Sequence, residues 1–445
     1  MGTVFGTILA FVIVFGILVF VHEFGHFFTA KLVGIRVETF SFGYGKRLFG
    51  FKMKGTDYRI SLIPMGGYVK FLGEGEVSAD QPGKLPPDHF LAKTRWQRFL
   101  VMVMGSMMNI LLAVFIFTII NMTGVTVAAY EDEKPVIGYM EPGSPAQKSG
   151  LEVGDEILSI DGEKVKTWND VEVTVATMPD KEITVDVLRN GALRSFRLRT
   201  EKKTRYALGY AGFTGKILAQ IMTVTPGTPA AKAGLEPGDI IKAIDGAPVY
   251  YFQFTPLIEK NPGRELKFLV DRNGRELTLG VTPRLEGGVG KIGILSGPQS
   301  ETKKYGFFAA IGQSVETNVK NVFLIVRFLR DLFIGRASTQ QLGGPLEIAR
   351  FSFAALQMGF MSLITWIGLI SLQLGVINLF PIPVFDGGQI FVLALEGLFR
   401  RDFSPKVRQI WMQVGFVIFV FLIAFVILND FVKRMPHGWG SLLPW

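Results

Sequence analysis

The chain has 445 residues, 49% of them hydrophobic, and a mean hydropathy of +0.34, which suits several membrane spans with attached domains better than one soluble core. There is no cysteine, so disulfides and thiolate ligands are excluded and any metal must be held by His, Asp or Glu. The net charge of +9 would suit nucleic acid, but twelve Lys/Arg against six Asp/Glu fall between residues 31 and 98, directly between two apolar stretches, so no nucleic-acid partner is expected.

Residues 3–21 carry no charge, and His22, Glu23, Phe24, Gly25 and His26 follow directly. Positions i and i+4 of a helix share a face. Two imidazoles there can hold one Zn²⁺, with Glu23 placed to act on its water. A chance His-Glu-x-x-His would sit on a surface or in a core. Three ionisable side chains in five residues at membrane depth are costly and gain nothing structurally. Residues 1–30 are therefore expected to form transmembrane helix 1 with a metal site at its end. No basic region or small-residue cleavage site precedes His22, so this span is expected to be retained.

The basic region 31–96 has the composition of a cytoplasmic loop. Within it Val37–Phe42 and Tyr58–Ile63 alternate in strand fashion and predict a β-loop, either associated with the membrane or a plain cytoplasmic hairpin. Residues 97–124 form a second span. On it Gly105 permits close helix approach, and Asn109 either needs an interior partner or serves packing alone. Apolar stretches near 359–380 and 410–428 complete four spans. This topology places about 125–340 outside the cytoplasm.

That external region is duplicated. Pro142–Asp155 (PGSPAQKSGLEVGD) recurs 84 residues later as Pro226–Asp239 (PGTPAAKAGLEPGD), and Ile160-Asp161-Gly162 recurs as Ile244-Asp245-Gly246. Arg189-Asn190-Gly191 matches Arg272-Asn273-Gly274, each Asn-Gly lying between alternating apolar runs as in a hairpin. Two tandem α+β domains are expected, at 125–203 and 204–285. Residues 286–342 follow. Their part from Tyr305 to Ile334 has apolar residues at helical spacing and predicts an amphipathic helix, interfacial or packed.

A catalytic zinc usually has three protein ligands. His89 lies in a polar loop and His437 in the tail, so both are set aside. Asp386 closes a long uncharged run in residues 343–388, in Asn378-Leu-Phe-Pro-Ile-Pro-Val-Phe-Asp386-Gly-Gly388. Pro381 and Pro383 break the helix there and let Asp386 turn toward His22 and His26. The alternatives are a helix cap at the boundary and Glu396 as the ligand. Residues 389–445 are expected to hold a cytoplasmic loop with Arg400, Arg401, Lys406 and Arg408, then the fourth span and a tail.

The repeated segments resemble permuted PDZ domains, which implies either peptide binding by strand addition or a size filter. His-Glu-x-x-His with Asn378-x-x-Pro381-x-Pro383-x-x-Asp386-Gly resembles the site-2 protease family of intramembrane zinc metalloproteases. Four spans with tandem PDZ domains are similar to its bacterial regulator of sigma-E type. Gly105-Ser-Met-Met-Asn109 is similar to the family's motif on the second span, while Phe385 departs from the family's usual Leu. The resemblance implies zinc on His22, His26 and Asp386, Glu23 as general base, and substrate backbone bound by Asn378 with Pro381 and Pro383. It also implies a β-loop edge offered to the substrate. The expected fold is thus a multi-pass α-helical membrane protein with about four transmembrane helices, two inserted PDZ domains and a membrane-associated β-loop. It would lie in a bacterial inner membrane, its active site near the cytoplasmic side and its PDZ domains periplasmic. Substrates would be single-span proteins in the lipid bilayer, an anti-sigma factor or signal-peptide remnants. A PDZ scaffold or a metal transporter would not need Glu23 beside the ligands.

Overall fold

The computed structural model describes residues 2–73, 85–130, 133–203 and 208–433. The chain divides into two units, one comprising residues up to 124, 304–330 and 342 onward, the other 125–303 with 331–341.

The first unit starts with α1 (Gly2–Leu32), followed by an antiparallel hairpin of β1 (Val37–Met53) and β2 (Thr56–Phe71). α2 (Arg95–Thr123) starts at a capping box in which Thr94 and Gln97 satisfy each other's backbone N–H groups. Its buried residues Arg98, Val101, Met102, Gly105, Ser106, Asn109 and Ala113 recur every three to four positions and form one stripe. Ala30, Ile35, Val37, Val69, Phe71, Val101 and Met102 make a common core for α1, the hairpin and α2. Among the described residues four helices are long and apolar enough to cross a membrane: Val4–Leu32, Arg95–Thr123, Phe360–Asn378 and Lys406–Val432.

Residues 343–388, expected to hold the third span and a helix break at Pro381 and Pro383, contain that break and an earlier one before Phe360. Pro345–Gln357 and Phe360–Asn378 are separate helices, and a new helix, Asp386–Leu398, follows the proline segment. Residues 389–398, expected as loop, are helical because Asp386-Gly-Gly restarts the turn and apolar residues recur through Leu398. The amphipathic segment is the helix Phe307–Phe333. Its polar side packs inward: Ser314 donates to the Val114 carbonyl on α2 at 2.7 Å, and Asn318 is buried. Phe308, Val315, Val319 and Phe323 are exposed on the other side.

In the second unit the two copies have separate cores, one running from Ile137 to Phe213 and the other from Ala219 to Ile292. The expected division at 203/204 is therefore too early, since Ala211 and Phe213 belong to the first core. Phe213–Thr214 pairs with Tyr139–Met140. The second copy likewise runs past 285, because Ile294–Pro298 pairs with Ala219–Val224. Both predicted hairpins form, Glu182–Arg189 with Ala192–Arg199 and Leu266–Arg272 with Arg275–Val281. Their Asn-Gly turns have positive φ at both residues, 52° and 77° in the first, 54° and 82° in the second. The duplication also has a matched ion pair. Arg189 grips Asp155 through Nε (2.6 Å) and Nη2 (2.7 Å), and Arg272 grips Asp239 through the same atoms at 2.7 and 2.8 Å.

Candidate metal centre and relatives of known family

α1 brings His22 and His26 to one face, and α2 packs against that face. Gly105 lies under the His26 imidazole, where a Cβ would overlap the ring. On the other side the proline segment leads into the helix that starts at Asp386. Gly387 and Gly388 let that start fold tightly onto its own approach, since a Cβ on either would meet the carbonyls of Leu379, Phe380 or Ile382. The sharp turn aims Asp386 at the histidines. Phe385 is the N-cap without a side-chain cap, and its ring meets Phe419 edge-on at 6.0 Å.

His22 Nε2 lies 3.2 Å from Asp386 Oδ2, His26 Nε2 lies 3.4 Å from Oδ1, and the two Nε2 atoms are 3.2 Å apart. Both histidines are buried. His26 Nδ1 is 2.8 Å from the Val101 carbonyl, which can only accept, so Nδ1 carries a proton and the neutral ring has its lone pair on Nε2, toward the group. Ligands about 2.0–2.1 Å from a tetrahedral zinc stand roughly 3.3–3.4 Å from one another. The His₂Asp donor set and its spacing fit that ion. Ser106 Oγ donates to Asp386 Oδ2 at 3.3 Å, and the Asn109 amide lies 3.3 Å from His22 Nδ1. Glu23 points beside the group, where β2 closes over it. The Val69 backbone hydrogen-bonds it, and Gly67 abuts its side chain.

The chain belongs to peptidase family M50. The family model matches residues 10–422. A relative from Vibrio cholerae, named as a zinc metalloprotease, is 33% identical over 96% of this chain and 98% of its own. A regulator of sigma E protease from Salmonella typhi is 33% identical, over 95% of this chain and 98% of its own. The regulator of sigma-E protease from Escherichia coli is 32% identical with the same coverage. The chain is thus a zinc metalloprotease of the site-2 type.

Among the described residues His22, His26 and Asp386 form the one group able to hold a metal. The structure does not bring Glu396 to it. That carboxylate is fully buried against Arg98 and Arg408 and accepts from the Phe403 N–H. His89 caps a short turn by accepting from the Leu91 N–H, and His437 lies outside the described residues. Asn378 ends the helix Phe360–Asn378. Pro381 and Pro383 lie in the break that follows, Pro383 packing on Gly415 of the helix Pro405–Val432. Sequence reasoning gave no role to Ser106, the Val101 carbonyl or Arg98. Ser106 left a signal within the Gly105–Asn109 motif and Arg98 as a charge on the apolar stripe of α2, whereas a backbone carbonyl leaves none.

Proposed function

We propose that this protease cuts peptide bonds within the membrane-spanning segments of other proteins, with Zn²⁺ held by His22, His26 and Asp386. The observation that carries the reading is the convergence of these ligand atoms, all within 4.8 Å of one another, at the end of the apolar helix Val4–Leu32. Bound there, Zn²⁺ supplies Lewis acidity that polarises a carbonyl and acidifies water. Glu23 takes the water proton and passes it to the leaving amine. Asn378 and the non-helical turn segment that carries Pro381 and Pro383 hold the unwound substrate backbone. Helical substrate protects its own peptide groups, so a site that breaks helices and supplies a polar amide is what cleavage requires.

The basic region 31–98 favours a site near the cytoplasmic side of a bacterial inner membrane, with the duplicated modules, read as PDZ domains, on the periplasmic side. The names of the relatives favour regulated intramembrane proteolysis in the sigma-E envelope stress response. The substrate would be a single-span anti-sigma factor already trimmed outside, or a signal-peptide remnant. The test uses the purified full-length chain in liposomes with a single-span substrate. Cleavage by wild type and none by Glu23→Gln, with zinc retained in both, supports the protease. Zinc flux without cleavage would establish a transporter in its place.

A further inference from the structure

We infer that Asn109 is a positioning residue that accepts a hydrogen bond from His22 Nδ1–H and thereby holds His22 as a metal ligand. The inference rests on the reading of His22, His26 and Asp386 as the zinc site. An imidazole that ligates through Nε2 carries its proton on Nδ1, and that proton needs an acceptor when buried. For His26 the acceptor is the Val101 carbonyl. For His22 the group within reach is the Asn109 side chain, 3.3 Å from Nδ1, on the same helix and completely buried. Asn109 Nδ2 is the atom set toward Nδ1, and Oδ1 has no partner among the described residues.

The amide can exchange Oδ1 and Nδ2 by a half turn without changing shape. Oδ1 has no bond to lose in the exchange, which turns a donor to Nδ1 into an acceptor from it and leaves Nδ2, in place of Oδ1, on the unpartnered side. Asn109 can therefore serve both tautomers of His22: Nε2–H without metal, and Nδ1–H when Nε2 is a ligand. Val101 and Asn109 lie eight residues apart on the buried stripe of α2, so one helix face fixes both imidazoles.

The test is zinc affinity, measured by chelator competition on the purified full-length protein in detergent, for wild type, His22→Ala, Asn109→Leu and Asn109→Asp. Loss of an outer partner of a ligating histidine weakens metal binding by about 10–100-fold. Asn109→Leu keeps the side-chain size, removes the acceptor and is expected to lose that much. Asn109→Asp can only accept when ionised and is expected to bind within a few-fold of wild type or tighter. Wild-type affinity in Asn109→Leu, with His22→Ala clearly weakened, would overturn the role of Asn109 and leave the zinc site standing. If His22→Ala binds like wild type, the zinc reading falls and this inference with it. Should Asn109→Leu fail to assemble, Asn109→Asp decides alone: a tenfold loss there would mean that the amide acts as a donor, contrary to the inference.

Discussion

Glu396 and Arg98 are paired in the interior, the Glu396 side chain fully buried and the Arg98 side chain 3% exposed, with Nη1 3.8 Å from Oε2. Arg408 donates to the other oxygen through Nε at 3.0 Å and Nη2 at 2.6 Å. Asp402 joins the cluster through Arg98 and Arg95. The cluster fixes the far end of the helix Asp386–Leu398 to α2, while Ser106 of α2 holds its first residue. Asp386 thus sits on a helix tied to α2 at two points.

Breaking a buried pair by removing one partner costs on the order of 3–5 kcal/mol, because the charge left behind has no compensation. Glu396→Ala is expected to lower the thermal midpoint of the detergent-solubilised protein markedly. Its zinc stoichiometry at saturating metal is expected to equal that of wild type. A folded Glu396→Ala protein without stoichiometric zinc would return Glu396 to the ligand set.

Removal of a general base costs about 10²–10⁴-fold in rate. Glu23→Gln is expected to lose cleavage by such a factor and keep its zinc, whereas Asp386→Ala is expected to lose the metal. Single-turnover cleavage and metal analysis on the same preparations distinguish the two. Undiminished turnover in Glu23→Gln would remove Glu23 from the chemistry.

Gly388→Ala places a Cβ against the Ile382 backbone, which cannot give way as a flexible side chain could. It is expected to displace Asp386 and abolish both zinc retention and cleavage. Gly397, near the other end of the same helix, faces open space. Gly397→Ala is expected to be neutral or to stabilise by about 0.5–1 kcal/mol, since Gly is a poor helix former. Equal activity of the two variants would show that the tight start of this helix does not set the ligand.

Burial pushes the Asp155 carboxyl up, but hydrogen bonds from Arg189 and the Glu152 N–H overcome it and hold the group below the ordinary carboxylate range. A folded-state pKa below the unfolded value adds stability at neutral pH that is lost as pH falls through about 4 and below. Thermal unfolding of wild type is expected to fall more steeply below pH 4 than that of Asp155→Asn. Parallel pH profiles would mean that the pair contributes no pH-dependent stability.

The relative legibility of these features follows from their range along the chain. The four membrane-length helices among the described residues, the histidine pair and the Asn-Gly hairpins depend on residues within a turn or a strand of one another, and period and composition expose them. The boundaries of the duplicated modules differ from those expected because each copy closes its core with a strand from beyond the repeated motif, Phe213–Thr214 in one and Ile294–Pro298 in the other. Asp386 was legible as a polar residue ending an apolar run, but cap, ligand and a competing Glu396 all fitted that pattern.

By itself the sequence determined that a histidine pair with an adjacent glutamate stands at the end of a membrane-length helix, because helical periodicity and the cost of charge in lipid are local constraints. Only the tertiary structure decided which acid faces the histidines. That choice depends on packing between segments at least 360 residues apart. Gly-Gly turns Asp386 inward, two arginines claim Glu396, and α2 lies close enough at Gly105 to hold both imidazoles.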